Sequence, residues 1–276
     1  MTDDASKTEH FRTLHGGPGP LLMPNAWDGG SAVLLASLGF PAVATTSSGF
    51  AATLGRLDGS VSRDEALQHA AVIAGSVSIP VSADLENGFA DEPDGVAETI
   101  RLAAGTGLAG CSVEDFTGRG DDPIYDLGRA AERVAAAAEA AHGTSTRTGP
   151  GLVLTARAEN YLHGRPDLAD TIARLQAYQA AGADVLYAPG LTGLDDIRAV
   201  VTSVDLPVNV LAVAGTPEVA ELAAAGVRRV SVGGAFAFVA YGALADAARE
   251  LRERGSYGFL AGARGGRNAV QAAFSK

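Results

Sequence analysis

Cysteine is nearly missing from this sequence. The one thiol in 276 residues, Cys111, rules out an internal disulfide framework and any metal centre built on several thiolates. Lysine is as scarce: only Lys7 and Lys276 occur, both in terminal segments expected to be loosely held. A Schiff-base aldolase needs a buried, positioned amine, so that mechanism is excluded. The histidines stand at 10, 15, 69, 142 and 163, with no pair at ligand spacing, which argues against a zinc site of the multi-histidine kind. No apolar run approaches the roughly 20 residues of a membrane helix. The polar start, with acids at Asp3, Asp4 and Glu9, lacks the basic-then-apolar order of a secretory signal. The expectation is a soluble, cytoplasmic protein.

Basic charge is also in short supply. Lys and Arg total 21 against 32 Asp and Glu, a formal net charge of −11, and no basic run offsets it, so neither nucleic acid nor an anionic membrane is an expected partner. The same charge repels a carboxylate ligand. An anion site therefore needs local help from arginine, backbone N–H groups or a bound cation.

What the sequence does contain is a repeated unit. Short apolar or β-branched runs, each followed by polar residues and then an Ala/Leu-rich stretch of helical spacing, give strands near 20–24, 41–46, 79–84, 109–114, 152–157, 183–188, 207–212 and 228–233. Helices fit near 29–38, 62–76, 93–106, 128–142, 166–181, 193–202, 216–225 and 235–253. Gly39, Gly182 and Gly226 each follow a helical run and precede a strand, the usual helix C-terminal signal. Ser62 with Glu65 forms a capping box, and Pro93, Pro166 and Pro217 mark first turns. Eight βα units predict one (β/α)₈ barrel of the TIM type over 1–276, with a polar N-terminal tail of about ten residues and a Gly-rich C-terminal extension from about 255 to 276. The last segment reads either as a loosely attached terminus or as an oligomer contact. An open doubly wound sheet would want a dinucleotide fingerprint after the first strand, and Asn25-Ala26-Trp27-Asp28-Gly29-Gly30 is not one.

In such a barrel the chemistry gathers at the carboxyl ends of the strands. Asp84 and Glu86, two apart, are expected to point the same way, with Glu114 ending the neighbouring strand. Three oxygen ligands without His or Cys suit a hard ion such as Mg²⁺; the alternative is ordinary mouth acids satisfied by solvent or by Arg157. Arg157 is the one basic residue placed at a strand end near these acids, able to clamp a carboxylate or a developing enolate oxygen, or else to form a structural pair with Glu159 or Glu114. The run Thr46-Ser47-Ser48 offers hydroxyl and N–H donors to a carboxylate. Residues 115–127 (DFTGRGDDPIYDL) form a long connection, read as a lid or a plain surface loop. A further reading takes Val232-Gly233-Gly234-Ala235 as a phosphate-binding helix start, with Arg228 and Arg229 at the far end of the preceding strand.

The pieces MPNAWDGGSA, ATTSSGFAATLGRLDG, PVSADLENGFA, AGCSVED, TARAEN and YQAAGADVLYAPG together resemble the isocitrate lyase/phosphoenolpyruvate mutase superfamily, from about Leu21 to Ala248. The resemblance implies a (β/α)₈ barrel with a C-terminal helix exchanged in a homo-oligomer, a dimer or tetramer. It implies Mg²⁺, with Mn²⁺ as a substitute, on Asp84, Glu86, Glu114 and a further loop acid, Asp58. It implies a small 2-oxo or hydroxy carboxylic acid as substrate, bound by Arg157, Thr46, Ser47 and Ser48, and carbon–carbon cleavage through an enolate; Tyr187, at the end of the sixth strand, is a further candidate for substrate binding. The sequence departs from the better-known lyases at the lid, where FTGRGDD replaces a cysteine-bearing motif; Cys111 faces the helix layer by alternation and cannot substitute. This argues against isocitrate and methylisocitrate cleavage. A lid with Arg119 as its one base argues against C–P chemistry. An atypical lyase, or a decarboxylase or hydrolase of a 2-oxo diacid, remains, beside a binder that has lost catalysis. Arg157 and Glu114 are the catalytic candidates, with Tyr125, Tyr187 and Glu159 as candidate proton donors.

Overall fold

A computed structural model of the chain describes residues 4–143 and 151–275; Lys276 lies outside them. The barrel strands are β1 (Leu21–Met23), β2 (Asn25–Ala26), β3 (Val43–Thr45), β4 (Val81–Asp84), β5 (Gly110–Glu114), β6 (Val153–Arg157), β7 (Val185–Tyr187), β8 (Val208–Leu211) and β9 (Arg229–Ser231). All pair in parallel in the order β1-β9-β8-β7-β6-β5-β4-β3-β2. The two ends of that order are neighbours in the chain. Pro24 separates them, and a residue without an N–H interrupts the ladder, so β1 bonds to β9 and β2 to β3. They are the two halves of one split strand, and the sheet is the expected eight-stranded (β/α)₈ barrel.

The helices are α1 (Asp4–Leu14), α2 (Gly29–Ser37), α3 (Ser47–Thr53), α4 (Arg63–Ser76), α5 (Pro93–Ala104), α6 (Leu127–Gly143), α7 (Leu168–Ala180), α8 (Leu194–Thr202), α9 (Val219–Ala224), α10 (Ala235–Arg254) and α11 (Leu260–Phe274). Local signals set their ends. Ser62 and Glu65 form the reciprocal capping box of α4, and Pro93 occupies the first turn of α5. Pro166 and Pro217 instead precede the caps Asp167 and Glu218. Gly39, Gly182 and Gly226 take φ of +92°, +98° and +90°, the left-handed geometry that lets the chain leave a helix and reach the next strand three or four residues on.

Strand alternation divides the core. Outward residues such as Cys111, Val113, Leu154 and Leu186 pack against Ile73, Ile100, Val134 and Leu175 on the helices. A smaller cluster closes the barrel floor around Phe11, with Leu21, Ala42, Val153 and Val185. Phe11 belongs to α1, so residues 4–10 are part of a helix rather than a polar tail. Lys7 is held as well, donating to the Val77 carbonyl at 3.2 Å. The Gly-rich C-terminal extension is likewise not loose: most of it forms α11, which packs against α2. Ahead of it, α10 presents Phe238, Val239 and Leu244 at 52%, 70% and 64% exposure and buries only Ala237.

Candidate active site

Barrel interiors ordinarily hold layers of Val, Ile and Leu. Here the inward positions alternate small or polar groups: Ser82 and Asp84 on β4, Ser112 and Glu114 on β5, Thr155 and Arg157 on β6, Arg229 and Ser231 on β9. The space they leave is a cavity of about 180 Å³ bordered by Asp58, Asp84, Arg157, Tyr187, Asn209 and Arg229, among others.

Arg157 is the hub of its mouth. Its Nη1 donates to Asp84 at 2.9 Å, Nη2 pairs with Glu114 at 3.0 Å, and Nε donates to Glu159 at 2.7 Å. Burial opposes the charge, but the Glu114, Glu159 and Asp84 carboxylates more than offset it and hold the guanidinium well above the ordinary arginine value. Burial pushes Glu114 well up, with Arg157 pulling the other way. Glu159 is raised by burial and drawn back by Arg157. Arg157 thus forms the structural ion pairs with Glu114 and Glu159 that its sequence position allowed, and it also lines the cavity.

Glu86 departs from the expected alternation. The strand ends at Asp84, and Glu86 sits in the following turn at φ +47°, a conformation that non-glycine residues seldom adopt. It borders a crevice shared with Asp84, Ser47 and His69. Desolvation, then the charges of Asp84 and Asp58, push its carboxyl up to about 8. Asp58, reaching the cavity from the loop before α4, is raised by desolvation and by Asp84 while a Ser47 hydrogen bond opposes the shift.

The Thr46-Ser47-Ser48 run is the start of a short helix, α3, that periodicity did not reveal. Thr46 caps it, with Oγ1 accepting from the Gly49 N–H at 3.4 Å and lying 3.2 Å from the Ser48 hydroxyl. The Ser47 N–H donates to Asp84 at 3.3 Å. Tyr187 lines the cavity with its ring 5.2 Å beneath the Arg157 guanidinium. Burial pushes its hydroxyl up to about 12, with the Arg157 charge and then Ser231 drawing it the other way.

Tyr125 is not brought to this cavity. Its hydroxyl donates to Asp91, and its ring lies 4.1 Å from the Arg133 guanidinium, on the outside of the mouth. The connection that carries it is folded on itself: Phe116 and Ile124 bridge, the Thr117 hydroxyl donates to the Asp122 carbonyl, and Phe116 stacks on His163 at 3.7 Å. Arg119 pairs with Asp91 rather than facing the cavity. Asp115 and Asn160 are structural; Asp115 accepts from Tyr178, Arg174 and the Glu159 N–H. Asn25 spends its side chain on the loop after β9, where its Oδ1 accepts from the Val232 and Gly233 N–H groups at 3.0 and 2.9 Å. Two of the amides of the Val232–Ala235 turn read from sequence as a phosphate-binding helix start are thus already used.

Arg229 is the residue that sequence reasoning misplaced. It does start its strand, but its side chain runs into the barrel, where it is 2% exposed and borders the cavity. Its Nε donates to Asn209 Oδ1 at 3.0 Å, Nη2 to Thr155 Oγ1 at 3.0 Å and Nη1 to His15 Nε2 at 3.3 Å. The His15 Nδ1–H serves the Phe11 carbonyl at 2.8 Å, which leaves Nε2 as acceptor. Burial and then the Arg229 charge hold that imidazole down at about 3, so it is neutral. Burial and then Arg157 press Arg229 down to about 10. The available signal was the inward parity of Arg229 with Ser231.

Whether a divalent cation fits can be judged from the donors. Asp58, Asp84, Glu86 and Glu114 are all oxygen ligands, of the kind a hard ion takes, and with Glu159 they face one guanidinium. Glu86 is raised first by desolvation, and the Asp84 and Asp58 charges add to the shift more than Arg157 takes away. Among the described residues, however, no three acidic, His or Cys side chains converge closely enough to hold an ion, since Arg157 draws Asp84 and Glu114 to itself. The donor atoms are of the type that Mg²⁺ takes, although the side chains do not converge on one point.

Comparison with known proteins agrees with the fold. The sequence pattern of the phosphoenolpyruvate phosphomutase family matches residues 11–252. A crystal structure from Burkholderia cenocepacia J2315, provisionally assigned as a lyase/mutase, is 53% identical, with a TM-score of 0.91 covering 97% of this chain and 95% of that one. The oxaloacetate decarboxylase of Chromohalobacter salexigens is 30% identical, covering 70% of this chain and 66% of that protein. The 2-methylisocitrate lyase of Escherichia coli K12 is 29% identical, covering 75% and 71%.

Proposed function

The chain belongs to the phosphoenolpyruvate phosphomutase family, and from that premise we propose that it is a Mg²⁺-dependent lyase that cleaves a carbon–carbon bond beside the carbonyl of a small 2-oxo or hydroxy carboxylic acid. Members of the wider superfamily include lyases, decarboxylases and mutases. The observation that carries the choice is the cavity mouth, where oxygen ligands in excess surround one buried guanidinium above a space the size of a small acid.

Asp58, Asp84, Glu86 and Glu114 would hold the ion, Mg²⁺ or in its place Mn²⁺. When bound it supplies Lewis-acid stabilisation of negative charge at the substrate's carbonyl oxygen. The chain's own groups do the rest. Ser47 and Ser48, with Thr46, orient the substrate carboxylate at the start of α3. Arg157 places a fixed positive charge beside the oxygen that becomes anionic, and because Glu159 and Tyr187 already hold it, little reorganisation accompanies the reaction. Glu159 is a positioning residue, since its carboxylate is committed to Arg157. Tyr187 keeps its proton at neutral pH and stands in the cavity, so it is the group to return a proton to the carbon left by cleavage. Tyr125 is bound to Asp91 outside the cavity and is not part of the proposal. The apolar face of α10 supports the homo-oligomer, with that helix exchanged between subunits.

The test is a panel of 2-oxo and hydroxy acids, oxaloacetate and 2-oxoglutarate among them, incubated with the protein and Mg²⁺ and followed by mass spectrometry. Cleavage products that require Mg²⁺ are expected. A panel without turnover would overturn the lyase reading.

A further inference from the structure

Resting on that reading, we infer that Arg229 forms an inner anion subsite, deep in the barrel, that takes the second carboxylate of a dicarboxylic substrate. Three observations carry it. The guanidinium is buried, yet every partner it has is neutral: the Asn209 amide oxygen, the Thr155 hydroxyl and His15 Nε2. Among the described residues no carboxylate lies within ion-pair distance of it, whereas Arg157 has three. A buried charge without a counter-ion opposes folding, and such groups persist where a ligand supplies the missing charge. Second, each of its nitrogens makes one hydrogen bond, so one N–H on Nη1 and one on Nη2 stay available, the two-pronged arrangement that matches a carboxylate. Third, Arg229 borders the same cavity as Arg157 and Asp84, and the groups between are short, among them Ser82 and Ser112.

The spacing decides the ligand class. Arg229 Nη2 bonds to Thr155, the inward residue one step below Arg157 on β6, and two residues along a strand are about 6.6 Å apart. The carboxylate carbons of an extended four- or five-carbon diacid are about 4–5 Å apart, and the hydrogen-bond contacts of about 2.8 Å at its ends make up the rest of that step. One end of such an acid meets the mouth, with its 2-oxo or hydroxy group beside Arg157, and the other end reaches Arg229. A monocarboxylate of equal length leaves the inner charge unmatched. Arg229 is thereby the residue that selects diacids.

The test compares malate with 2-hydroxybutyrate, four-carbon hydroxy acids that differ in the second carboxylate, by calorimetry in the presence of Mg²⁺. The wild-type chain is expected to bind malate at least tenfold more tightly. Arg229→Gln is expected to abolish that preference while leaving 2-hydroxybutyrate binding unchanged, and Arg229→Lys to keep part of it. Should Arg229→Gln not fold, Thr155→Asp provides the same test, because it sets a carboxylate against Nη2, pairs the guanidinium internally and is expected to cancel the preference. A wild-type chain that does not distinguish the two acids, or a folded Arg229→Gln or Thr155→Asp variant with the wild-type preference, overturns the inner subsite. Turnover of 2-oxo acids with an unaltered preference removes the subsite and keeps the lyase. A preference lost in Arg229→Gln without any turnover keeps the subsite and removes the lyase.

Discussion

Glu86 combines a left-handed backbone at φ +47° with a carboxyl raised to about 8 by desolvation and by its acidic neighbours. The folded chain therefore favours its protonated form. Its contribution is intact below the ordinary carboxylate value of 4.5 and is lost as pH rises through about 8. A divalent cation reverses this by supplying the missing charge. Added Mg²⁺ is thus expected to raise the unfolding temperature more at pH 9 than at pH 6, as scanning calorimetry would show, and Glu86→Gln should flatten the pH dependence of the metal-free protein. Equal Mg²⁺ effects at both pH values would speak against Glu86 as a ligand. The two tyrosines separate cleanly at this scale. Tyr187→Phe keeps the ring under Arg157 but removes the proton, and should slow turnover by about 10²–10⁴-fold, the range of a lost general acid. Tyr125→Phe breaks only the contact with Asp91 and should leave the rate near that of wild type. Steady-state rates of the two variants, measured side by side, decide between them.

Among the elements, α1 has the most to do with the barrel floor. Phe11 is fully buried there, and Gly110 leaves the room it needs: a Cβ at 110 would come within 2.8 Å of the Phe11 ring and 2.7 Å of the Val153 carbonyl. Phe11→Ala should destabilise the fold by about 3–5 kcal/mol, the range for an aromatic removed from a core, as read from denaturant midpoints; a change under about 1 kcal/mol would mean that the floor closes without it. The strand and helix rhythm of the barrel was legible in sequence because every βα unit has its own apolar run and cap, and the mouth was legible because Asp84, Glu114 and Arg157 end strands. The role of α1 was hidden because most of that helix is polar and its key contact is one inserted aromatic. The short helix α3 was hidden because Ser47 and Ser48 read equally well as a turn. Arg229 was hidden because a strand start was taken to mean the far end of the barrel, while a long side chain on an inward position reaches the interior. Glu86 was read as inward by alternation, an argument that fails once the strand stops at Asp84.

Viewed as a whole, the molecule carries a net charge of −11, yet sets two buried guanidiniums, Arg157 and Arg229, along the cavity. Both the surface and the acid-rich mouth repel an anion, so one that binds would depend on the local charge of a cation at the mouth or of Arg229 within. On the outside, α10 leaves Val239 and Leu244 largely in solvent, which a subunit exchange would cover. Light scattering should find an oligomer that Val239→Glu with Leu244→Glu converts to monomers; an unchanged mass would remove α10 from the interface. At the centre, a cation held by Asp58, Asp84, Glu86 and Glu114 is proposed to act together with the charge on Arg157 on one ligand oxygen. Oxalate, a stable mimic of a 2-oxo acid enolate, tests that pairing most directly by calorimetric titration with and without Mg²⁺. The expected result is binding that depends on Mg²⁺ and disappears in Asp84→Ala. Oxalate binding of equal strength without Mg²⁺, or unaffected by Asp84→Ala, would contradict it.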